Sequence, residues 1–313
     1  MEKQIPMSKL SIAIVMAVFN RKETTRRCIE HIAMSKDIGQ FKIVFFITDD
    51  NSSDGTFDML KQLEENYPDF EFNIFVGNGL LFWNKGMYRS YGEALKRSFD
   101  FYLWINDDVV FYDMFLSKLI IDSYSVRDRY QLYVICGSCC GLDEKTRSYG
   151  GLKLRNRMNP YKWNYVYPNG TVQKCDLVNG NCLVIPYLTA QKVGNLDNRY
   201  VHGMGDFDYG LKIRKEGGQA FVSSSYVGIC ERNSEEGTWR DPSLNIITRI
   251  RLKQKPTARP IECDYIYLRK WYPYSWPYYI IRPYLGIIYS GLKYKVSVWV
   301  NLMKKKRFKD GRI

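Results

Sequence analysis

The chain has 313 residues, of which 45% are hydrophobic and 25% are charged, and its formal net charge is +13. This balance excludes a disordered chain and predicts a globular protein with one large domain or two modest ones. It has only two histidines, so enzyme classes that need several are nearly excluded, and a Ser-His-Asp triad would have to use His31 or His202.

Apolar runs alternate with helical patterns along the first 140 residues. Strands are predicted at 11–18, 42–48, 71–76, 101–105 and 132–136, with helices at about 20–34, after residue 54, at 86–99 and at 112–123. Asn20 with Glu23 resembles a capping box, and Asp54 would cap the second helix. This alternation predicts an α/β fold, a three-layer α/β/α sandwich with a mostly parallel central sheet.

The pattern loosens over residues 141–178, where loops and short antiparallel strands are expected. A helix at 206–216, closed by two glycines, and a strand at 219–228 follow. A catalytic domain over 1–240 and a basic, aromatic C-terminal segment over 241–313 are therefore predicted.

Two acidic clusters follow core strands: residues 49–54, and Asn106-Asp107-Asp108. In an open parallel sheet both would converge on the crevice at the carboxyl ends of the strands. Carboxylate and amide oxygens suit a hard divalent cation, which would neutralise the charge of a phosphorylated ligand. Each cluster taken alone could also be an ordinary turn or helix cap.

Two further groups could bind or react. Asn84 and Lys85 begin a helix and could meet phosphate, although Lys85 could equally be a solvated surface lysine. Asp206 follows Gly203 and Gly205, lies near His202 and Asp208 in the sequence, and could act as a general base. The helix N-terminus is expected to lower the pKa of Asp206, and both acidic residues could be simple caps.

The eight cysteines favour buried, reduced thiols. Cys136, Cys139 and Cys140 could suggest zinc, but no second pair stands at finger spacing. Residues 1–10 carry no export signal, so a cytoplasmic protein is predicted.

The order of these motifs resembles that of family-2 glycosyltransferases with the GT-A fold, over about residues 10–232. The motifs that carry the resemblance are 14–21, 49–56, 84–86, 106–109 and 205–208. Phe82-Trp83, residues 230–233 and residues 237–239 resemble the branch that builds bacterial surface polysaccharides, whose members are often rhamnosyltransferases.

The resemblance implies inverting transfer from a nucleoside-diphosphate sugar to a glycan or lipid-linked glycan, with Mn²⁺ or Mg²⁺ as cofactor. Asp206 would be the catalytic base and Asp108 the metal ligand, with Asn106, His202 and Asp208 in support. The expected donor-binding residues are Ala17, Asn20, Asp50, Asn84, Lys85 and Asp107. Asn106 replaces the first Asp of the family's DxD motif, Ala17 replaces a hydroxyl residue, and Cys230 lies near where relatives have a metal-binding His.

The last fifty residues hold eleven Lys or Arg against two Asp, a net charge of +9. Tyr and Trp residues recur over 265–289, and Lys304 to Arg307 form a basic cluster. This predicts a peripheral anchor at the inner face of the cell membrane rather than a span, because the longest uncharged stretch of this segment, Trp271 to Ile281, has 11 residues. A nucleic-acid surface is the less favoured interpretation, and packing on protein is the other alternative.

The sequence leaves two alternatives to sugar transfer. A catalytically silent module that binds sugar nucleotides or polysaccharide could share the fold. A dinucleotide oxidoreductase is disfavoured, because no G-x-G-x-x-G follows the first strand.

Overall fold

The apolar runs of the N-terminal part form the middle of one sheet. The computed structural model describes residues 9–309, with side chains up to residue 303. The first eight residues and the side chains of the basic cluster Lys304 to Arg307, on which expectations above partly rest, lie outside this description. The chain divides into two compact units, one up to Arg232 and the other from Asn233.

The first unit contains twelve strands and six α-helices among its described residues. In chain order these are β1 Leu10–Val18, α1 Lys22–Ala33, β2 Phe41–Asp49, α2 Thr56–Asn66, β3 Glu71–Val76, α3 Phe82–Ala94, β4 Phe101–Ile105, β5 Val110–Phe111, α4 Phe115–Arg127, β6 Tyr133–Cys140, β7 Arg147–Tyr149, β8 Leu152–Leu154, β9 Trp163–Tyr165, β10 Gln173–Cys175, β11 Cys182–Pro186, α5 Tyr187–Val193, α6 Gly205–Lys215 and β12 Gln219–Ile229.

The main sheet has the order β10-β12-β6-β11-β4-β1-β2-β3. The strand pairs β1–β2, β1–β4, β2–β3 and β6–β12 are parallel, whereas β11 runs antiparallel to both β4 and β6. The predicted mostly parallel sheet is therefore confirmed. The reversed strand β11 brings its first residue, Cys182, opposite Ile105 at the end of β4.

Helices cover both faces of this sheet. Alternate residues of β1 point to opposite faces, so Ile12 and Ile14 pack in one core and Ala13 and Val15 in the other. Apolar residues of α1, α2 and α4 fill the first core, and those of α3, α5 and α6 fill the second. The three-layer α/β/α sandwich predicted from the sequence is confirmed.

Helix α4 begins at Phe115, three residues after the predicted start at 112. Two other helix starts also differ from the sequence prediction. Asn20 does not cap α1, which begins at Lys22. The backbone of Asn20 is left-handed, with φ 50°, and the side chain of Asn20 accepts a hydrogen bond from the Ser53 N–H at 2.8 Å. Helix α3 begins at Phe82, four residues before the predicted start. Both differences arise from contacts between residues about thirty positions apart, which local patterns do not encode.

The second unit is helical, with α7 Ile246–Lys253, α8 Ile261–Trp271 and α9 Trp276–Lys309. A buried ion pair joins Lys253 to Asp264 at 3.1 Å. Helix α9 exposes apolar side chains at helical spacing, namely Leu285, Tyr289, Leu292, Val296, Trp299 and Met303. Within residues 9–309, no helix combines the length and hydropathy needed to cross a bilayer.

Candidate active site

Asp50 fixes the turn that leads into α3. It follows β2 directly, is buried, and accepts hydrogen bonds from three backbone N–H groups. Gly79 donates to Oδ1 at 2.9 Å, while Leu81 and Phe82 donate to Oδ2 at 2.8 and 2.9 Å. Asp50 thus satisfies free N–H groups at the start of α3 and holds that helix at the carboxyl edge of the sheet.

One arginine bridges the two carboxylates that follow β4. Arg21 Nη1 lies 2.7 Å from Asp107 Oδ1, and its Nη2 lies 3.0 Å from Asp108 Oδ2. The second Asp107 oxygen accepts a hydrogen bond from the Thr25 hydroxyl at 3.1 Å. Asp107 therefore faces α1 and is 3% exposed. Asp108 keeps 23% of its side-chain surface exposed and is the carboxylate of this pair that faces outward.

Burial perturbs the protonation of this group. Desolvation raises the pKa of Asp107 to about 6, although the Arg21 charge acts in the opposite direction. The Cys230 thiol lies 3.4 Å from Asp108 Oδ1, and burial followed by the Asp108 charge raises the pKa of Cys230. Cys230 therefore stays a neutral thiol that donates to Asp108.

Trp83 connects the end of β4 to the loop before β11. Its indole Nε1–H donates to Asn106 Oδ1 at 2.8 Å. Its ring packs on Gly180 so closely that a Cβ there would lie 2.3 Å from Trp83 Cζ2. The Gly180 N–H in turn donates to Asp206 Oδ2 at 3.2 Å. Asn106 and Asp206 are therefore joined through two residues, of which Gly180 carried no assigned role at the sequence level.

Asn84, the residue after Trp83 in α3, contacts the loop that precedes α6. Its side-chain amide donates to the carbonyl oxygens of Asp197 and Tyr200, both at 2.9 Å. A Cβ on Gly205 would lie 1.7 Å from Asn84 Oδ1, so α6 can begin here only with glycine. The amide of Asn84 is thus used to hold the loop before α6.

Asp206 lies in the first turn of α6 and is half-buried. Desolvation raises its pKa, and this outweighs the hydrogen bonds from the Phe207 and Gly180 N–H groups, which lower it. The expectation that the helix N-terminus would dominate and lower this pKa was wrong. A carboxylate with a raised pKa is a better proton acceptor, which suits a general base.

The supporting residues around Asp206 are more enclosed. Asp208 is fully buried and accepts a hydrogen bond from the Tyr200 hydroxyl at 3.1 Å. His202 is half-buried, and burial lowers its pKa, so the imidazole is neutral near pH 7. The bond between Tyr200 and Asp208 links the loop before α6 to the first turn of that helix.

The remaining predicted donor-binding residues lie along the same edge. Ala17 is near the end of β1 and packs on α3. A Cβ added to Gly86 of α3 would lie 2.8 Å from the Cβ of Ala17. Lys85 is half-buried in the first turn of α3. Asn20 is exposed, and besides Ser53 its backbone N–H donates to the Ser52 hydroxyl at 2.8 Å. Asn20 therefore ties the loop after β1 to the loop after β2.

The three acidic motifs meet around one helical turn. Asp50 binds the backbone of Phe82, while Asn106 and Asp206 are reached through Trp83, the next residue. Over the described part of the chain, no cluster of three or more His, Cys, Asp or Glu side chains could enclose a metal ion. Asp108 is 23% exposed, but its Oδ2 lies 3.0 Å from Arg21 and its Oδ1 lies 3.4 Å from the Cys230 sulfur. A divalent cation bound there would have to displace one of these contacts and take its other ligands from phosphate oxygens and water.

Comparisons with known proteins agree with this geometry. Residues 13–123 match the model of the family described as glycosyl transferase family 2. No curated protein matches the chain.

Two solved structures share the fold at low sequence identity. The mannosyltransferase PcManGT from Pyrobaculum calidifontis, in complex with GDP-Man and Mn²⁺, is similar with a TM-score of 0.55 and 11% identity, over 98% of this chain and 84% of that one. GalNAc-T7 with UDP, GalNAc and Mn²⁺ is similar with a TM-score of 0.61 and 12% identity, over 87% of this chain and 50% of that one. The predicted GT-A fold is confirmed.

Proposed function

We propose that the chain is an inverting glycosyltransferase that moves a sugar from a nucleoside-diphosphate sugar to a hydroxyl of a growing, lipid-linked surface glycan. The observation that carries the proposal is the connection from Asp206, a half-buried carboxylate with a raised pKa, to the Asn106-Asp107-Asp108 motif through Gly180 and Trp83. The family match over 13–123 and the GT-A fold support it. The catalytic part is assigned to residues up to about 240, and a rhamnosyltransferase-like activity is part of the proposal.

In the proposed reaction, Asp206 accepts the proton of the acceptor hydroxyl. The oxygen attacks the anomeric carbon from the face opposite the diphosphate, and the bond from that carbon to the phosphate oxygen breaks with its electron pair leaving on the nucleoside diphosphate. The transition state has oxocarbenium character, as in glycoside hydrolysis. One new bond forms opposite one broken bond, so the anomeric configuration inverts.

The donor would lie at the carboxyl edge of the sheet. In this proposal Asp50 and Ala17 border the nucleoside, Asn20, Asn84 and Lys85 complete that edge, and Asp107 keeps Arg21 in place beside Asp108. Asp108 would hold Mn²⁺ or Mg²⁺, which when bound neutralises charge on the leaving diphosphate.

Replacing the base tests the assignment. Asp206→Asn keeps the shape but removes the proton acceptor, so kcat should fall by about 10² to 10⁴ while donor affinity stays nearly unchanged. The exposed Asp69→Asn is the matched control and should behave like the parent. Turnover of a sugar-nucleotide panel with and without acceptor, together with donor binding, gives both quantities. Equal loss of affinity and turnover would contradict the role of Asp206.

The same panel separates the enzyme from a silent binding module. A module would bind sugar nucleotides and consume none. Titration with Mn²⁺ and Mg²⁺ tests the cofactor. Asp108→Ala should require a higher metal concentration than the parent for half-maximal donor binding. Donor binding that is insensitive to metal in both proteins would contradict the assignment of Asp108 as a metal ligand.

Peripheral membrane attachment is proposed for the second unit. The exposed stripe of α9, with Leu292 54% and Trp299 61% exposed, combines with the basic character of the last fifty residues. Apolar and aromatic side chains beside Lys and Arg favour the interface of an anionic bilayer.

Liposome flotation of the full chain measures this attachment. The double variant Leu292→Ser, Trp299→Ser should lose flotation with anionic vesicles, whereas Leu188→Ser, at a 61% exposed position in the first unit, should keep it. If the double variant floated like the parent, α9 would not be the anchor, and a protein partner for this face would be the better interpretation.

A further inference from the structure

A buried arginine lacks hydrogen-bond partners close to the site. Arg147 begins β7 and is 4% exposed, and only its Nη2 donates, to the Gly151 carbonyl at 3.0 Å. Its Nε and Nη1 are buried without a hydrogen-bond partner. The hydroxyls of Ser138 and Ser148 nearby are buried and unpartnered in the same way. Buried donors of this kind cost free energy unless a ligand or water satisfies them.

Arg147 and a second arginine, Arg232, both contact the ring of Tyr165. The Cζ atoms of Arg147 and Arg232 lie 4.6 and 5.0 Å from the centroid of Tyr165 in β9. Arg232 is exposed, and its Nε donates to the Ser148 carbonyl at 2.9 Å. Tyr165 is 41% exposed, so the group opens to solvent on the side of Arg232 and Tyr165.

No carboxylate balances these two charges. Across residues 9–303, neither guanidinium forms a salt bridge, and the neighbouring Glu231 carboxylate instead accepts the Leu142 N–H. Burial lowers the pKa of Arg147, and the positive charge of Arg232 lowers it further. Two like charges on one ring, one of them desolvated, are stabilised if an anion binds between them.

A separate series of contacts connects Arg147 to Asp206. Arg147 Nη2 lies 3.0 Å from the position that a Cβ on Gly150 would occupy, and the Gly150 N–H donates to Asn179 Oδ1 at 3.2 Å. The Asn179 side chain in turn hydrogen-bonds Asp206. The Asn106 motif is reached from Asp206 through Gly180 and Trp83 instead.

We infer that Arg147 and Arg232 form an anion subsite for the acceptor, which carries a carboxylate or phosphate group near the hydroxyl that Asp206 deprotonates. The identification of the anionic ligand as the acceptor substrate rests on the proposed function. Arg232 makes the first contact from its exposed position, and the Tyr165 ring turns aside for the anion to reach Arg147. The subsite selects acidic sugars or sugar phosphates over neutral ones.

Ligand-observed NMR titration of the full chain tests the subsite with three matched probes: methyl glucoside, methyl glucuronide and methyl glucoside 6-phosphate. At least one anionic probe should bind about tenfold more tightly than the neutral one, since tenfold is about 1.4 kcal/mol and hydrogen bonds between charged groups contribute at least that much. Which anion binds better distinguishes an acidic sugar from a phosphate.

Variants locate the binding. Arg232→Gln and Arg147→Gln should each abolish most of the preference, and the exposed Arg157→Gln in the β8–β9 loop, which removes the same charge, should keep it. Arg232→Gln remains informative if the buried Arg147→Gln fails to fold. Equal binding of charged and neutral probes by the parent, or an unchanged preference in Arg232→Gln, overturns the inference.

Failure of the inference differs from failure of the proposed function. If the parent hydrolyses or transfers from a sugar nucleotide but shows no anion preference, the enzyme stands and the subsite falls. If no sugar nucleotide is consumed while the anionic probes bind through Arg232, the subsite stands as an anion site and the glycosyltransferase proposal falls.

Discussion

Asp107 should make the stability of the protein depend on pH between about 4 and 6. Its pKa is raised to about 6 in the folded chain, against about 3.9 for an Asp in an unfolded chain. Between these values the folded state holds the proton more tightly, so the free energy of unfolding falls as the pH rises. The contribution is fully present below pH 4 and is lost above pH 6.

The size of the effect follows from the two pKa values. A difference of about two pH units corresponds to about 3 kcal/mol of unfolding free energy, and Asp107 is 3% exposed, so screening by water reduces it little. Arg21 at 2.7 Å opposes the shift, because its charge stabilises the carboxylate.

Urea unfolding of the parent and Asp107→Asn at a series of pH values from 3.5 to 7.5 measures the effect. Other groups titrate alike in both proteins, so the difference between the two free energies isolates Asp107. The parent should lose about 3 kcal/mol relative to the variant as the pH rises. In Arg21→Gln the transition should move to higher pH, because the opposing charge is gone.

Parallel curves for the parent and Asp107→Asn would refute the reasoning. They would mean that Asp107 has the same pKa in the folded and the unfolded chain, either because water solvates the carboxylate or because the Arg21 charge offsets the cost of desolvation.

Three further predictions concern packing. Gly180→Ala should lower the free energy of unfolding by about 1–3 kcal/mol and reduce turnover, because the added Cβ would lie 2.3 Å from Trp83 and displace the ring. Gly39→Ala is the control, since a Cβ there meets nothing within 4 Å and should cause no packing penalty. Thermal unfolding and activity assays measure both variants. Lys253→Met should lower the free energy of urea unfolding by about 1–3 kcal/mol, because it removes one partner of the buried Asp264 while Arg259 remains 2.7 Å from its other oxygen; a loss below about 1 kcal/mol would mean that Arg259 alone balances Asp264. All eight cysteines are buried and free, so a thiol reagent such as Ellman's should label them only at the rate of unfolding, and fast labelling of the native protein would contradict their burial.

Local pattern was enough for the strands of the sheet. The runs at 71–76 and 101–105 match β3 and β4 to the residue, because short apolar segments bounded by polar and turn residues leave little choice of register or end. The start of α3 was missed by four residues, since the N–H groups of its first turn are satisfied by Asp50, about thirty positions earlier in the chain.

The sequence predicted which residues form the candidate site but not the contacts between them. The acidic motifs are read directly from the sequence, whereas the Trp83 contact with Asn106 exists only after β4 and α3 are packed side by side. The direction of the Asp206 pKa shift depends on desolvation, which requires the folded surroundings. Arg147 gave no signal for the same reason, because an unpaired charge is recognised only when every neighbour is known.

The first turn of α3 touches groups assigned to both substrates. Its backbone binds Asp50, and its indole reaches Asn106 and the glycine that donates to Asp206. A displacement of this turn by one ligand would therefore change the surroundings of the other, and thermodynamic reciprocity requires the influence to be equal in both directions. Donor and acceptor would then bind cooperatively, with the coupling free energy residing in a single turn of helix.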